Sequence, residues 1–175
     1  DSPSQRSPHP AVLVTMSEFE LLQKKQDKLD RKEFNGTLVA VDKEDEPLVG
    51  RLMATGSNPD AVEDAKHPSG VKDMQDGWSA LLLALMRKNL IIAREILAAG
   101  ATVDMVMGED RSTVLMMAAW NNWLDAARLL FEYNANPNVV IKQGGTALHC
   151  AAQEGHAAMT RLIIEHGADL NVQDV

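Results

Sequence analysis

The feature that most constrains this chain is a segment that occurs three times. GWSALLLALMRKNLIIAREILAAGATVD covers residues 77–104, RSTVLMMAAWNNWLDAARLLFEYNANPN covers 111–138, and GGTALHCAAQEGHAAMTRLIIEHGADLN covers 144–171. Ser79, Thr113 and Thr146 correspond, at steps of 34 and 33 residues. Leu81, Leu115 and Leu148 keep those steps, as do Ala84, Ala118 and Ala151. So do Gly100, Asn134 and Gly167, and then Asp104, Asn138 and Asn171. A fixed period near 33 residues implies units that bury their apolar faces against one another, not elements wrapped around one central core.

Each unit reads as two short helices. The hydroxyl residue (Ser79, Thr113, Thr146) is placed to accept a backbone N–H at the start of the first helix. Apolar and alanine positions follow for about two turns. A polar break comes at Lys88-Asn89, Asn121-Asn122 and Glu154-Gly155. The second helix then shows apolar residues at helical spacing, as at Met159, Leu162 and Ile163. It closes at Gly100, Asn134 or Gly167, residue types that tolerate the left-handed conformation of a helix end. The pairs Ala118-Ala119 and Ala151-Ala152 let neighbouring helices approach closely.

This pattern resembles the ankyrin repeat family. The resemblance is carried by the period, by T-A-L-H at 146–149, by A-A at 151–152, by G-H at 155–156 and by G-A-D-L-N at 167–171. It covers residues 74–175. Ser79-Ala80-Leu81-Leu82 and Thr113-Val114-Leu115-Met116 replace the tetrapeptide and lack its histidine, and Arg111 stands where the family usually has glycine. The fold that the resemblance implies is an all-α solenoid of stacked helix-turn-helix units joined by β-hairpin-like turns.

The stretch GGTALHCAAQEGH, residues 144–156, gathers His149, Cys150 and His156, and Cys150 is the one cysteine of the chain. Adjacent residues on a helix diverge by about 100°, and seven steps along it rise about 10 Å. Ligands of one zinc ion all lie within roughly 2.3 Å of it, so an unbroken helix cannot bring these three to one metal. The resemblance implies structural roles instead: His149 bonds back to Thr146, and His156 bonds the neighbouring turn. We expect no catalytic, metal or cofactor residues in the chain.

Upstream, residues 35–60 read as a degenerate capping unit. Ala40 falls where Ala84 falls and Gly56 where Gly100 falls, both at a step of 44 residues. Leu48, Val49, Leu52 and Met53 supply apolar spacing, and Pro47 suits the start of a helix. Residues 61–74 contain Pro68, Ser69 and Gly70 and read as an inserted loop. Residues 16–34 read as a leading helix whose Ser17 and Glu20 fit a capping box. Residues 1–15, rich in serine and proline, read as a disordered tail or linker. The clear repeats are 75–107, 108–140 and 141–173, and the array is expected to continue past residue 175, with the chain a fragment of something longer.

Composition narrows the function. Net charge is −8 with no long basic run, which argues against nucleic acid or an anionic membrane surface as partner. No apolar run approaches the roughly 18 residues of a membrane span. A lone cysteine leans toward a reducing compartment, and the expected setting is intracellular, cytoplasmic or nuclear. Asn35-Gly36-Thr37 matches a glycosylation pattern too short to carry weight.

The resemblance implies a non-enzymatic module that binds a protein partner through hairpin tips and the inner-helix face, monomeric as a fragment. Carried over position by position, the hairpin side is Gln75, Asp76 and Trp78; Glu109, Asp110 and Ser112; Lys142, Gln143 and Gly145. The inner-helix face is Met86 and Arg87; Trp120 and Asn121; Gln153 and Glu154. Trp78, Met86, Arg87 and Trp120 are expected to form one patch, since Trp and Arg are the usual anchors of interfaces. Trp123, at an inter-helix turn, is expected to fill a gap between units. The alternative is a regulatory or docking segment of a larger enzyme or channel whose chemistry lies elsewhere. The expected continuation is testable: adding native downstream residues raises the unfolding temperature, and an unchanged temperature contradicts it.

Overall fold

A computed structural model describes residues 37–61, 77–108, 111–141 and 144–172, all within the compact unit formed by residues 33–175. Eight helices are present among them. They are α1 (residues 37–42), α2 (Glu46–Ala54), α3 (Ala80–Met86), α4 (Leu90–Ala98), α5 (Val114–Trp120), α6 (Leu124–Glu132), α7 (Ala147–Gln153) and α8 (Ala157–Glu165). They form four pairs, each an inner helix followed by an outer one. The tail, the leading helix and the bulk of the inserted loop expected from the sequence lie outside the described residues.

The same local chemistry recurs in each pair. Ser79 and Thr113 sit extended before α3 and α5 and accept the backbone N–H groups of Leu82 and Met116 at 3.2 and 3.3 Å. Each cap satisfies one of the donors that a helix start leaves orphaned. Inner helices then stop at one left-handed residue, Glu44, Lys88, Asn122 or Gly155, with φ between 54° and 71°. That turn aims the next backbone N–H at a buried alanine. Asp45, Asn89, Trp123 and His156 donate to the carbonyls of Ala40, Ala84, Ala118 and Ala151 at 2.8 to 3.0 Å. All four alanines are fully buried. Such close packing favours a small side chain, in keeping with the alanine that recurs at this place in the sequence.

Outer helices close in a second recurring way. Gly56, Gly100, Asn134 and Gly167 are left-handed. The residue after each returns its N–H to the carbonyl of Leu52, Ile96, Leu130 or Ile163, at 3.0 to 3.3 Å. This is the bond pattern of a glycine-type helix stop. The first pair, 37–61, follows both rules despite its divergent sequence, with Asp45 capping α2 through Leu48 N–H at 3.0 Å. Pro47 lies in the first turn of that helix, where its missing N–H costs little.

Beyond the outer helices the chain turns toward the next unit. Met107 and Ser112 form an antiparallel bridge with bonds of 2.9 and 3.1 Å. Ile141 N–H reaches Gly145 carbonyl at 3.0 Å in the equivalent place. Arg111 takes the left-handed conformation there, at φ 57°, just as Gly77 and Gly144 do at 77° and 87°. The turn geometry therefore survives the loss of glycine, at a steric cost.

Side chains tie each turn to its neighbour. Asp60 accepts both Thr102 N–H and the Thr102 hydroxyl, at 2.6 and 2.7 Å. Asp104 accepts Asn136 N–H at 3.0 Å, and Asn138 accepts Asp169 N–H at 2.7 Å. This explains the repeating Asp104, Asn138 and Asn171 of the sequence: the position needs an oxygen acceptor aimed at the following unit. Burial raises the Asp104 carboxyl above its ordinary value, partly offset by the bond from Asn136.

Two stability measurements follow. Replacing Arg111 with glycine removes a left-handed cost of about 1 kcal/mol or slightly more, less the extra freedom of glycine in the unfolded chain. A gain of up to about 1 kcal/mol is expected in chemical unfolding; a loss contradicts the strain. Asp104→Asn keeps the acceptor oxygen and removes the charge. The folded carboxyl holds its proton more tightly than the unfolded one, so stability falls as pH rises through the carboxylate range. The variant is therefore expected to be more stable than the parent at pH 7, with the difference vanishing as pH falls below about 4.

Candidate functional site

The candidate surface consists of the hairpin turns and the C-terminal ends of the inner helices. Six of its expected residues, Gln75, Asp76, Glu109, Asp110, Lys142 and Gln143, lie outside the described residues. The rest are placed by the two repeating turns, so corresponding residues of successive units occupy corresponding places.

Trp120 ends α5 and is 48% exposed, an unusual state for a large apolar side chain. Its backbone is held: the Trp120 carbonyl lies 3.1 Å from His156 Nε2 of the next unit. An imidazole nitrogen facing a carbonyl must donate, so this nitrogen carries a proton. Met86 is the equivalent residue of the preceding unit and is half-buried, while Gln153 of the following unit is exposed. Next in the chain come Arg87, Asn121 and Glu154, all exposed. Arg87 is engaged, forming an ion pair with Asp42 at the end of α1. Asn121 donates its amide to Met117 carbonyl at 2.8 Å, closing α5. Both are therefore pre-oriented side chains.

Trp78 lies elsewhere. It is half-buried before α3, with its indole near Gly108 of the next hairpin turn: a Cβ on Gly108 would sit 3.8 Å from Trp78 Nε1. The residues between Trp78 and Met86, from Ser79 to Leu85, are all buried. The four residues expected to form one patch thus form two, separated by the length of α3, about 10 Å for seven residues. One comprises Trp78, Gly108 and Ser112 at the hairpins; the other comprises Met86, Arg87 and Trp120 at the far ends of the inner helices. Sequence reasoning overlooked Val106 and Val140, which correspond to one another in successive hairpin arms and are 42% and 50% exposed. Two apolar residues at one repeat position were the signal.

The histidine and cysteine cluster is structural in its visible bonds. Thr146 and His149 form a capping box at the start of α7. His149 Nδ1 receives Thr146 N–H at 3.2 Å and lies 2.9 Å from its hydroxyl oxygen. An Nδ1 that accepts a backbone proton leaves the ring proton on Nε2. Cys150 is half-buried on α7. Among the described residues no group of three or more His, Cys, Asp and Glu could hold a metal ion, and no helix is long and apolar enough to cross a membrane.

Trp123 meets its expectation only in part. It is half-buried against the core between the second and third pairs. A cleft of about 380 Å³ remains beside it.

Comparison with known proteins agrees with the repeat reading. The family model described as ankyrin repeats in three copies matches residues 37–141 and 92–174. An ankyrin repeat-containing protein of Treponema pallidum (strain Nichols) is 33% identical over 111 residues, covering 63% of this chain and 37% of that protein. The ankyrin repeat, SAM and basic leucine zipper domain-containing protein 1 of Ornithorhynchus anatinus is 33% identical over 95 residues, or 51% of this chain and 20% of that protein. A Danio rerio protein named as a palmitoyltransferase is 25% identical over 128 residues, or 73% of this chain and 18% of that protein. The chain spans less than two fifths of the length of each of these relatives.

Proposed function

The chain belongs to the ankyrin repeat family, and from that premise we propose that it is a non-enzymatic module that captures a protein partner on its inner-helix ends and hairpin turns. Ankyrin repeats in general serve protein–protein interaction and are not themselves catalytic. The observation that carries the finer reading is Trp120. A tryptophan left 48% exposed, on a backbone held by His156, presents a large flat apolar side chain with only two rotatable bonds. Binding loses little conformational freedom in such a group. Met86 and the ion-paired Arg87 flank it by repeat position, and mixed apolar and arginine composition is typical of interface anchors.

The hairpin patch of Trp78, Ser112, Val106 and Val140 extends the same reading, as do Gln75, Asp76, Glu109, Asp110, Lys142, Gln143, Gln153 and Glu154. The partner is a protein, in an intracellular setting. A second reading is a docking segment within a larger enzyme. It is favoured by the Danio rerio relative, whose match occupies only 18% of its length.

The test is capture of partners from lysate by the native chain and by a Trp78→Ser, Trp120→Ser variant with unchanged helical circular dichroism. Each captured protein is then purified and its affinity measured against both forms. Loss of an interface anchor typically costs at least about 2 kcal/mol, or roughly thirtyfold in Kd. A drop of that size for a purified partner supports the reading. Equal affinity for both forms contradicts it.

A further inference from the structure

The three joints between successive helix pairs do not close in the same way. The discriminating position is the residue that opens the outer helix: Asp45, Asn89, Trp123 or His156. At the joint between the first and second pairs, Asn89 caps α4 through Ile92 N–H at 3.0 Å and also donates its amide to Glu46 across the joint at 3.3 Å. At the joint between the third and fourth, His156 crosses to the Trp120 carbonyl. At the middle joint the position holds Trp123, which, like His156, gives its helix no side-chain cap but which, among the described residues, makes no crossing bond of its own.

A second departure falls at the same joint. The third and fourth pairs carry alanine at positions 119 and 152, whereas the second pair carries Leu85. Helix separation depends on the side chains at the contact. Accordingly, α5 and α7 pack along their lengths, while α3 and α5 do not. At this joint a cleft of about 380 Å³ lies between the α3–α4 turn on one side and the α5–α6 turn with the start of α6 on the other. Leu85 is buried and lines it; Leu90, Trp123 and Leu124 line it too. Lys88 belongs to the second pair and Asp125 to the third, and both are exposed at this cleft without an ion-pair partner among the described residues. Next to it, a shallower groove shares Leu90 and runs over Ile91, which is 59% exposed.

We propose that this cleft is a second binding site, and that it takes an apolar side chain of an extended peptide segment flanked by one acidic and one basic residue. The volume is within the range of small-ligand pockets and suits one aromatic or branched side chain. Trp123 and the leucines supply the apolar walls. The opposed charges of Lys88 and Asp125 select a flanking carboxylate and a flanking cation, and reject a peptide bearing only one sign on both sides. Both sequence departures exchange closure for apolar surface. Loss of a side-chain cap typically costs about 1 kcal/mol, a cost that α2 and α4, capped by Asp45 and Asn89, avoid.

The test uses the full chain with Trp78→Phe and Trp120→Phe, so that Trp123 is the one remaining tryptophan and the fluorescent reporter. The probes are the peptide Ser-Gly-Ser-Glu-Phe-Lys-Ser-Gly-Ser, its version with both charged residues replaced by serine, and its version with glycine for phenylalanine. A saturable change in Trp123 emission is expected with the first peptide and none with the glycine version. At low salt the neutral peptide should bind about threefold more weakly, and Lys88→Gln with Asp125→Asn should abolish that difference. No saturable change up to about 1 mM peptide, equal response to the glycine version, or equal affinity for the neutral peptide would overturn the proposal.

Discussion

The structure depends on one repeated bond: the backbone N–H that opens each outer helix, donated to the carbonyl of a buried alanine five residues earlier. Asp45, Asn89, Trp123 and His156 make it to Ala40, Ala84, Ala118 and Ala151. The bond sets the angle between inner and outer helix, and hence which faces are left apolar for the neighbouring pair. It requires a left-handed residue in between. Three of the four, Glu44, Lys88 and Asn122, are not glycine, and such residues cost roughly 1–2 kcal/mol in that conformation. Burial of the alanine and of Leu81, Leu115 and their neighbours must outweigh this. A helix of seven or nine residues would not persist alone in water, so each pair is held mainly by its neighbours.

That dependence makes the joints, not the pairs, the units of stability. The Asp and Asn side chains that link successive turns act at every described joint, from Asp60 to Thr102, Asp104 to Asn136 and Asn138 to Asp169. The Arg94–Glu132 pair and the stacked rings of Phe131 and His166 add contacts at individual joints. Arg94 and Glu132 are both more than half exposed, so their pair contributes little. The middle joint has its turn link and the exposed Arg94–Glu132 pair, but among the described residues it lacks a crossing bond from the residue that opens its outer helix, and it lacks the close inner-helix contact. An array that concentrates its looseness at one joint also concentrates there the apolar surface a partner can use.

Much of this was legible in the sequence, because the repeat compares three solutions to one problem. Gly100, Asn134 and Gly167 announced left-handed stops, and Ser79 and Thr113 announced caps. The bond of His149 with Thr146 followed from the T-A-L-H motif. Even the divergent residues 37–61 showed their register through Ala40 and Gly56. The side chains at the surface were harder to read. Trp78 and Trp120 both fall on binding positions of the repeat, but nothing in the sequence says that the residues between Trp78 and Met86 are buried and split the patch. Trp123 reads as a gap-filler, yet whether a tryptophan fills a gap or lines one depends on helix separation. Leu85, a residue of the preceding unit, lines the same cleft. Val106 and Val140 were visible as a pair, but β-branched residues in a turn arm are as compatible with burial as with exposure.

Native-state hydrogen exchange in low denaturant tests most directly whether stability resides in unequal joints. Amides that open together report a common cooperative unit. If the middle joint is the weakest, the amides of α5–α8 should share an opening free energy distinct from those of α1–α4. The division should fall between Ala98 and Val114. One common opening energy for all eight helices, or a division at another joint, would contradict the account.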